Sequence, residues 1–347
     1  AVGGDSIKAS MSADGQYVAF ESLATNLGGG GANRNVYLRD IPADITTRVS
    51  TGTGGTVANG DSFLSASAGF RAITSDARYV VFASDATDLI GSDTNGNQDV
   101  FLKDLQNDTT IRISTDSSGN QFNFDITSFD AEITPDGRYV AFTQFSDGGA
   151  GPHEEIFIKD LATGYLNPVI TASTAFTSIS GTRISADGRY VAFDIVSGLP
   201  PGDVGGRTYV YVADTWSSKF YRLSEDSSGT GGDNNSRTPS ISADGRYVAF
   251  QSFATNLVAN DTNSVEDVFR AEVPLDTDGD GLLDIVETNT GTYVNASDTG
   301  TDPNNPDTDG DGIPDGRDGN PLHPEEAAPR VLITSPADGI QAIPDEI

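Results

Sequence analysis

The 347-residue sequence contains no cysteine, two histidines, one methionine and one tryptophan. Without cysteine there is no disulfide scaffold, no thiolate-bound zinc or iron–sulfur cluster, and no thiol nucleophile. Basic residues are scarce as well: 20 Lys and Arg stand against 51 Asp and Glu, a formal charge of −31. Nucleic-acid backbones are recognised by clustered Lys and Arg, so this balance excludes nucleic acid as a partner. Anionic membrane surfaces are disfavoured on the same ground. No apolar run approaches the ~20 residues that cross a bilayer, so no membrane insertion is expected. No secretory signal sits at Ala1, which fits a mature form or an excised fragment. The natural counter-charge for such a chain is a divalent cation. With 36% hydrophobic residues, 17 Phe and 11 Tyr, it is not composed like a disordered acidic tail. Its length allows two domains, or one repeat domain with appendages.

One phrase recurs five times. It reads Ser12-Ala-Asp14-Gly15-Gln16-Tyr17-Val-Ala-Phe20, then Thr74-Ser-Asp76-Ala77-Arg78-Tyr79-Val-Val-Phe82 and Thr134-Pro-Asp136-Gly137-Arg138-Tyr139-Val-Ala-Phe142. The last two copies run Ser185 to Phe193 and Ser242 to Phe250. Asp-Gly favours a tight hairpin turn because both positions tolerate positive φ. Tyr-Val-Ala-Phe is β-prone and apolar on both faces, as in a strand buried on two sides. Further short β-like stretches follow each copy, among them 35–40, 99–104, 155–160 and 208–212. Four short strands per unit at this period predict propeller blades.

The phrase, with its following Asp-Val-Phe-x-x-Asp, resembles the WD40-like repeat of bacterial TolB-type β-propellers over residues 5–273. That resemblance implies an all-β, five-bladed β-propeller at 1–273, with six blades as the alternative. The fifth repeat lacks an obvious fourth strand after Asp267-Val268-Phe269-Arg270. The motif speaks for the fold and is nearly silent about activity.

At Pro274 the composition changes. Residues 276–326 hold 14 Asp and Glu and one basic residue, Arg317. Counted from Asp276, Asp278, Asp280, the Leu282 carbonyl, Asp284 and Glu287 fall at the oxygen-ligand positions of an EF-hand loop, with Gly281 at its sharp turn. A second copy offers Asp307, Asp309, Asp311, the Ile313 carbonyl, Asp315 and the shorter Asp318, and its Pro314 argues against a normal exiting helix. An all-oxygen set favours Ca²⁺ over zinc or copper. The pair resembles bacterial thrombospondin type 3 repeats, which implies a mostly irregular, Ca²⁺-binding stalk at 274–326 with little helix beyond 282–288. After it, 328–339 looks like the first strand of a bacterial immunoglobulin-like domain, making 327–347 a linker and a truncated start.

A weaker cation signal lies inside the repeats, at Asp93, Asn95, Asn97 and Asp99, and again at Asp261, Asn263 and Asp267. The competing reading is that Asx side chains close turns there. Signals for catalysis are few. His153 and His323 sit in polar loops without a metal or nucleophile spacing, and neither a Gly-x-Ser-x-Gly elbow nor a phosphate-binding loop occurs. Asp125, Asp130, Glu132 and Asp194 are carboxylates without a motif. The repeated Arg78, Arg138, Arg189 and Arg246 make either a cationic ring or braces for neighbouring carboxylates, and the brace is the favoured reading.

These readings converge on a secreted or cell-surface bacterial module, non-enzymatic, with a protein or glycan ligand at the propeller face in adhesion. Self-association through strand exchange in a surface filament is one alternative. A secreted polysaccharide-degrading enzyme, or its accessory binding module, is the other.

Overall fold

Each repeated phrase builds the same turn. In the first, Ser12 Oγ donates to Asp14 Oδ1 (2.6 Å), and that carboxylate oxygen accepts the Gln16 N–H (3.0 Å). The same pair of bonds recurs at Thr74–Asp76–Arg78, Thr134–Asp136–Arg138, Ser185–Asp187–Arg189 and Ser242–Asp244–Arg246. The hydroxyl bond and the backbone bond hold the Asp14, Asp76 and Asp244 carboxyls below their usual range. Ala77 takes the turn glycine's place in the second copy and accepts φ of 57°.

The computed structural model describes residues 4–27, 33–65, 69–122, 126–146, 153–171, 178–196 and 206–324. Two compact units result, Ala1–Val273 and Pro274–Ile347. The segment read as an immunoglobulin-like strand lies outside the described residues, as does Asp125.

The first unit is a series of antiparallel meanders. Strands β1 (Ser6–Met11), β2 (Tyr17–Ser22), β3 (Asn35–Asp40) and β4 (Ile45–Arg48) form the first sheet. The second holds β5 (Ser62–Phe63), β6 (Tyr79–Ser84), β7 (Asp99–Asp104) and β8 (Thr109–Arg112). In the third are β9 (Ile126–Ile133), β10 (Tyr139–Ser146), β11 (His153–Asp160) and β12 (Leu166–Ile170). The fourth comprises β13 (Ile179–Ile184), β14 (Tyr190–Val196), β15 (Thr208–Asp214) and β16 (Lys219–Arg222). The fifth has three described strands: β17 (Ser236–Ile241), β18 (Tyr247–Ser252) and β19 (Asp267–Glu272). This all-β arrangement of repeated four-stranded meanders is a β-propeller fold.

Within each sheet the phrase's Phe stacks on the ring of the next strand. The pairs are Phe20–Tyr37, Phe82–Phe101, Phe142–Phe157, Phe193–Tyr211 and Phe250–Phe269, with centroids 5.8–6.1 Å apart. Each repeated Arg reaches the carboxylate ending that strand: Arg78–Asp104 and Arg189–Asp214 at 2.8 Å, Arg138–Asp160 and Arg246–Glu272 at 3.3 Å. The same guanidinium lies over its neighbouring tyrosine ring, 4.6–5.7 Å from the centroid. The arginines are braces.

Between sheets, the turn glycine of one phrase packs on the tyrosine of the phrase before. A Cβ on Gly137 would lie 2.9 Å from the Tyr79 ring, and on Gly188 or Gly245 closer still to Tyr139 or Tyr190. Buried lysines add a second join. Lys159 donates to the Thr115 and Asp116 carbonyls of the preceding sheet's loop (3.2 and 2.8 Å), and Lys103 to that of Gly52 (3.5 Å). A third join runs from β2 and β14, where Glu21 accepts the Leu64 N–H (2.7 Å) and Asp194 that of Thr238 (3.1 Å). Between the fifth and first sheets the glycine–tyrosine step is not made among the described residues: Gly15 has only its own Met11 Sδ near, at 3.8 Å.

This packing makes the turn glycines unequal. Replacing Gly188 with Ala forces a Cβ into Tyr139 besides the positive-φ strain, an expected loss of about 2–4 kcal/mol in urea-monitored stability. Gly15→Ala meets only the backbone strain, about 1–2 kcal/mol. Equal losses would remove the glycine–tyrosine contact from the account of the fold.

Candidate metal centres

The second unit, Pro274–Ile347, is described as far as residue 324 and is almost without regular structure. Its one described helical turn is a 3₁₀ turn, Asp315–Arg317, directly after Pro314. The helix expected over 282–288 is replaced by turns. The Val286 carbonyl accepts from the Thr299 N–H (2.8 Å) and Thr299 Oγ1 (2.9 Å), and Asn289 N–H donates to Thr301 (2.8 Å). A cross-link to the 299–301 segment thus takes the carbonyl that a helix would use.

Both acidic loops fold alike from their identical Asp-Thr-Asp-Gly-Asp-Gly openings. Asp276 accepts the Gly279 and Gly281 N–H groups (2.7 and 3.2 Å), and Asp307 accepts those of Gly310 and Gly312 (2.9 and 2.8 Å). Asp278 and Asp309 accept from Asp280 N and Asp311 N, while Asp280 and Asp311 accept from Leu282 N and Ile313 N. Positive φ at Gly281 (108°) and Gly312 (94°) lets each loop turn back on its own carboxylates. The ninth-position residues brace the loop start instead. Asp284 takes the Thr277 N–H and hydroxyl (2.7 and 2.6 Å), and Asp315 takes those of Thr308 (2.9 and 2.5 Å).

Three groups of carboxylate oxygens converge to within 4.8 Å: Asp276, Asp278 and Asp280; Asp280, Glu287 and Asp315; Asp307, Asp309 and Asp311. The middle group joins the two loops, because Asp315 of the second meets Asp280 and Glu287 of the first. Gly316 N–H also donates to Asp280 Oδ2 (3.0 Å). Glu287 is 3% exposed, its Oε1 accepts from Thr301 Oγ1 (3.0 Å), and its Oε2 has no hydrogen-bond partner. The buried Oδ2 atoms of Asp278, Asp309 and Asp318 lack one too. Burial and then the neighbouring carboxylates push Asp278 up to about 6. Burial likewise pushes Glu287 up to about 7, with Asp280, Asp278 and Asp284 adding to it against the Thr301 bond. Buried oxygens without a donor, packed against like charges, fit a hard cation.

The weaker set looks different. Arg112 lies 3.4 Å from both Asp93 and Asp99, and Gln121 donates to the same two carboxylates (2.9 and 3.3 Å). Asn95 accepts the Asn97 N–H (3.0 Å) and closes a turn. In the fifth sheet Asn263 donates to Asp267 (3.0 Å), with Asp261 nearby in the same loop. Sequence reasoning missed Arg112, although an Arg-aliphatic-Ser triplet recurs at 48, 112 and 222. It also missed the reach of Asp315 into the first loop, which no spacing encodes.

The carboxylates considered for acid–base work are held in structural pairs. Glu132, fully buried, lies 3.7 Å from Arg71; burial pushes it up to about 7 against the pull of Arg183 and Arg71. Asp194 accepts from Ser180 (2.6 Å) and Thr238, and Asp130 from Ser65 (3.0 Å). His153 is half-buried on β11, paired in register with Ser146.

No protein-family model matches this sequence, and no curated protein matches it. Among solved structures the chain is similar to the β-propeller domain of the Trilobed protease from Pyrococcus furiosus, with 10% identity and a TM-score of 0.48. That alignment covers 78% of this chain and 69% of the other. Tricorn protease aligns at 14% identity and a TM-score of 0.45 over 72% of this chain and 19% of that one. Prolyl oligopeptidase B from Galerina marginata gives 12% identity and a TM-score of 0.46, over 78% and 34%. The chain thus spans a fifth to a third of the length of those two enzymes. The expected adhesion or surface-assembly module is set aside, since these three neighbours come from peptidases and none is a protein of that kind. At such identities the likeness shows the fold alone, a β-propeller.

Proposed function

We propose that residues 274–324, which follow the propeller in sequence, form a Ca²⁺-held segment of the thrombospondin type 3-like kind, and that the propeller performs no bond chemistry itself. The observation carrying this reading is Glu287 Oε2, buried without a donor in a group with Asp280 and Asp315. Ca²⁺ takes six to eight oxygens, and the first loop offers Asp276, Asp278, Asp280, Glu287 and the Leu282 carbonyl, joined by Asp315. In the second loop Asp307, Asp309, Asp311, Asp318 and the Ile313 carbonyl play that part. The ion's role is to neutralise carboxylates that otherwise repel one another, so binding and folding of the segment are one equilibrium. Millimolar Ca²⁺ outside cells suffices even for weak loops of this class, in keeping with an extracellular setting. For the propeller, support comes from its repeated arginines and buried carboxylates, which are used in braces and inter-sheet bonds.

Equilibrium dialysis of the full chain should find at least two Ca²⁺ bound, and Asp278→Ala with Asp309→Ala should abolish that binding. Chelation should lower the melting temperature; saturation at about 100 times Kd adds roughly 2.7 kcal/mol per site. A chain that binds no Ca²⁺ at millimolar concentration overturns the reading.

Acidity gives a second check. In the metal-free fold, Asp278 and Glu287 hold protons up to about 6 and about 7, above their values in the unfolded chain. The folded state therefore binds more protons between pH ~4 and 7, and metal-free stability falls as pH rises through that window. Ca²⁺ needs the same groups deprotonated, so its affinity rises over that range. Amide exchange at Asp284 and Thr299, whose N–H groups bond the Leu275 and Val286 carbonyls across the segment, should quicken from pH 5 to 8 in chelator, after correction for intrinsic rates, and slow in Ca²⁺. Matching trends in both buffers would contradict the assignment.

A further inference from the structure

The two acidic loops are tied together by more than sequence order. Between them, residues 289–301 fold back on the end of the first loop. Asn289 N–H donates to the Thr301 carbonyl (2.8 Å), Gly291 N–H to that of Gly300 (2.9 Å) and Thr299 N–H to that of Val286 (2.8 Å). A Cβ on Gly300, at φ 73°, would collide with the Thr292 backbone, so this return needs its glycine. It sets the buried Thr301 against Glu287. Thr301 Oγ1 donates to Glu287 Oε1 (3.0 Å) and leaves Oε2 as the atom without a donor.

The path then runs into the second loop. Asp302 N–H donates to Thr308 Oγ1 (3.0 Å), and that hydroxyl donates to Asp315 Oδ2 (2.5 Å). Thr308 N–H donates to Asp315 Oδ1 (2.9 Å), and Asp315 N–H to the Pro306 carbonyl (3.0 Å). The start of the second loop thus fixes where Asp315 stands. Asp315, 3% exposed, meets Asp280 and Glu287, and Gly316 N–H holds Asp280 Oδ2 (3.0 Å). A Cβ on Gly316 would lie 2.7 Å from the Asp280 carbonyl oxygen, so the loops touch there backbone to backbone. Glu287, Thr301, Asp302, Thr308 and Asp315 form a closed circuit with one carboxylate from each loop. The group Asp307, Asp309 and Asp311 takes no residue from the first loop, whereas Asp315 comes to the first site from the second.

Resting on the Ca²⁺ reading above, we infer that the two loops do not fill independently: a cation in either raises the other's affinity, and Thr301 and Thr308 are the positioning residues that carry the coupling. An ion in the second loop orders 307–318 and with them Asp315, which the first ion takes as a ligand. An ion in the first loop draws Glu287 and Asp315 together and orders the second through Thr301 and Thr308. Ordering achieved by one ion need not be repeated for the other. The coupling factor is the same in both directions, because linkage between two sites is reciprocal.

Native mass spectrometry of the full chain, titrated with Ca²⁺ from a metal-free start, counts the ions on each molecule. At an average of one ion per chain, singly loaded molecules should make up less than half. Two independent sites, equal or unequal, leave half or more singly loaded. Thr301→Val and Thr308→Val should each raise that share to half or above, and Thr301→Ser and Thr308→Ser, which keep the hydroxyl, should restore the original distribution. In calorimetry, Asp309→Ala should weaken the remaining first site about fivefold or more, the lower end of coupling between sites. If that variant disturbs the segment, the distribution for the unsubstituted chain still decides. Half or more singly loaded chains there would overturn the coupling and leave the Ca²⁺ reading standing. Valine variants that load as the original does would overturn the role given to the two threonines. A chain that binds no Ca²⁺ would overturn the reading and the inference together.

Discussion

The propeller depends on how closely one sheet can approach the next, and the turn glycine sets that distance. Where Gly188 lies on Tyr139 and Gly245 on Tyr190, there is no room for a Cβ. The positive φ that shapes the hairpin therefore also makes the contact between sheets. Local and tertiary requirements fall on one residue, and this consistency is what lets a short repeated phrase specify a large fold. Ala77 occupies the same place at φ 57° and is 7% exposed, so one methyl is accommodated where the first sheet meets the second. The lysine and carboxylate joins are subordinate to this contact. Lys103 and Lys159 reach carbonyls of the preceding sheet only because the sheets are already close.

Charge is used in two opposed ways along the chain. In the propeller, burial is compensated locally: Arg189 with Asp214 at 2.8 Å, or Glu21 receiving a backbone N–H from the next sheet. A buried charge that is paired and hydrogen-bonded is tolerable, and such pairs hold geometry more than they add stability. In the second unit the compensation is missing. Asp280, Glu287 and Asp315 converge with Leu282 N–H, Gly316 N–H, Thr301 Oγ1 and Thr308 as their donors, and among the described residues no cationic side chain pairs with them. The same residue type thus serves as a finished structural part in one unit and an open ligand set in the other. What separates them is the supply of guanidinium and N–H groups nearby.

The hairpin phrase was legible in the sequence because its physics is local: Ser12, Asp14 and Gly15 close a turn within four residues. The acidic loops were legible for the same reason, since their glycines and carboxylates lie a few positions apart. Contacts made across sequence were not legible. Arg112 meets Asp93 across nineteen positions, and no pattern rule ties a fourth strand to a loop before the third. Asp315 looks like the ninth ligand of its own loop, yet it braces Thr308 and also reaches Asp280 and Glu287. The helix expected after Leu282 failed because Thr299 captured the Val286 carbonyl. Short acidic loops with tertiary partners settle such competitions through those partners, against local propensity.

An open strand edge is a hazard that folded proteins restrain with charge and short length. β19 is six residues long and carries Asp267, Arg270 and Glu272, which deters flat pairing with an arbitrary apolar strand. In the second sheet Arg112 and Ser114 meet Asp93 and Asp99. The fifth carries Asp261 and Asp267 at the same six-residue spacing, so the acidic loop before the third strand belongs to the repeat itself and stands whether or not a fourth strand is described beside it.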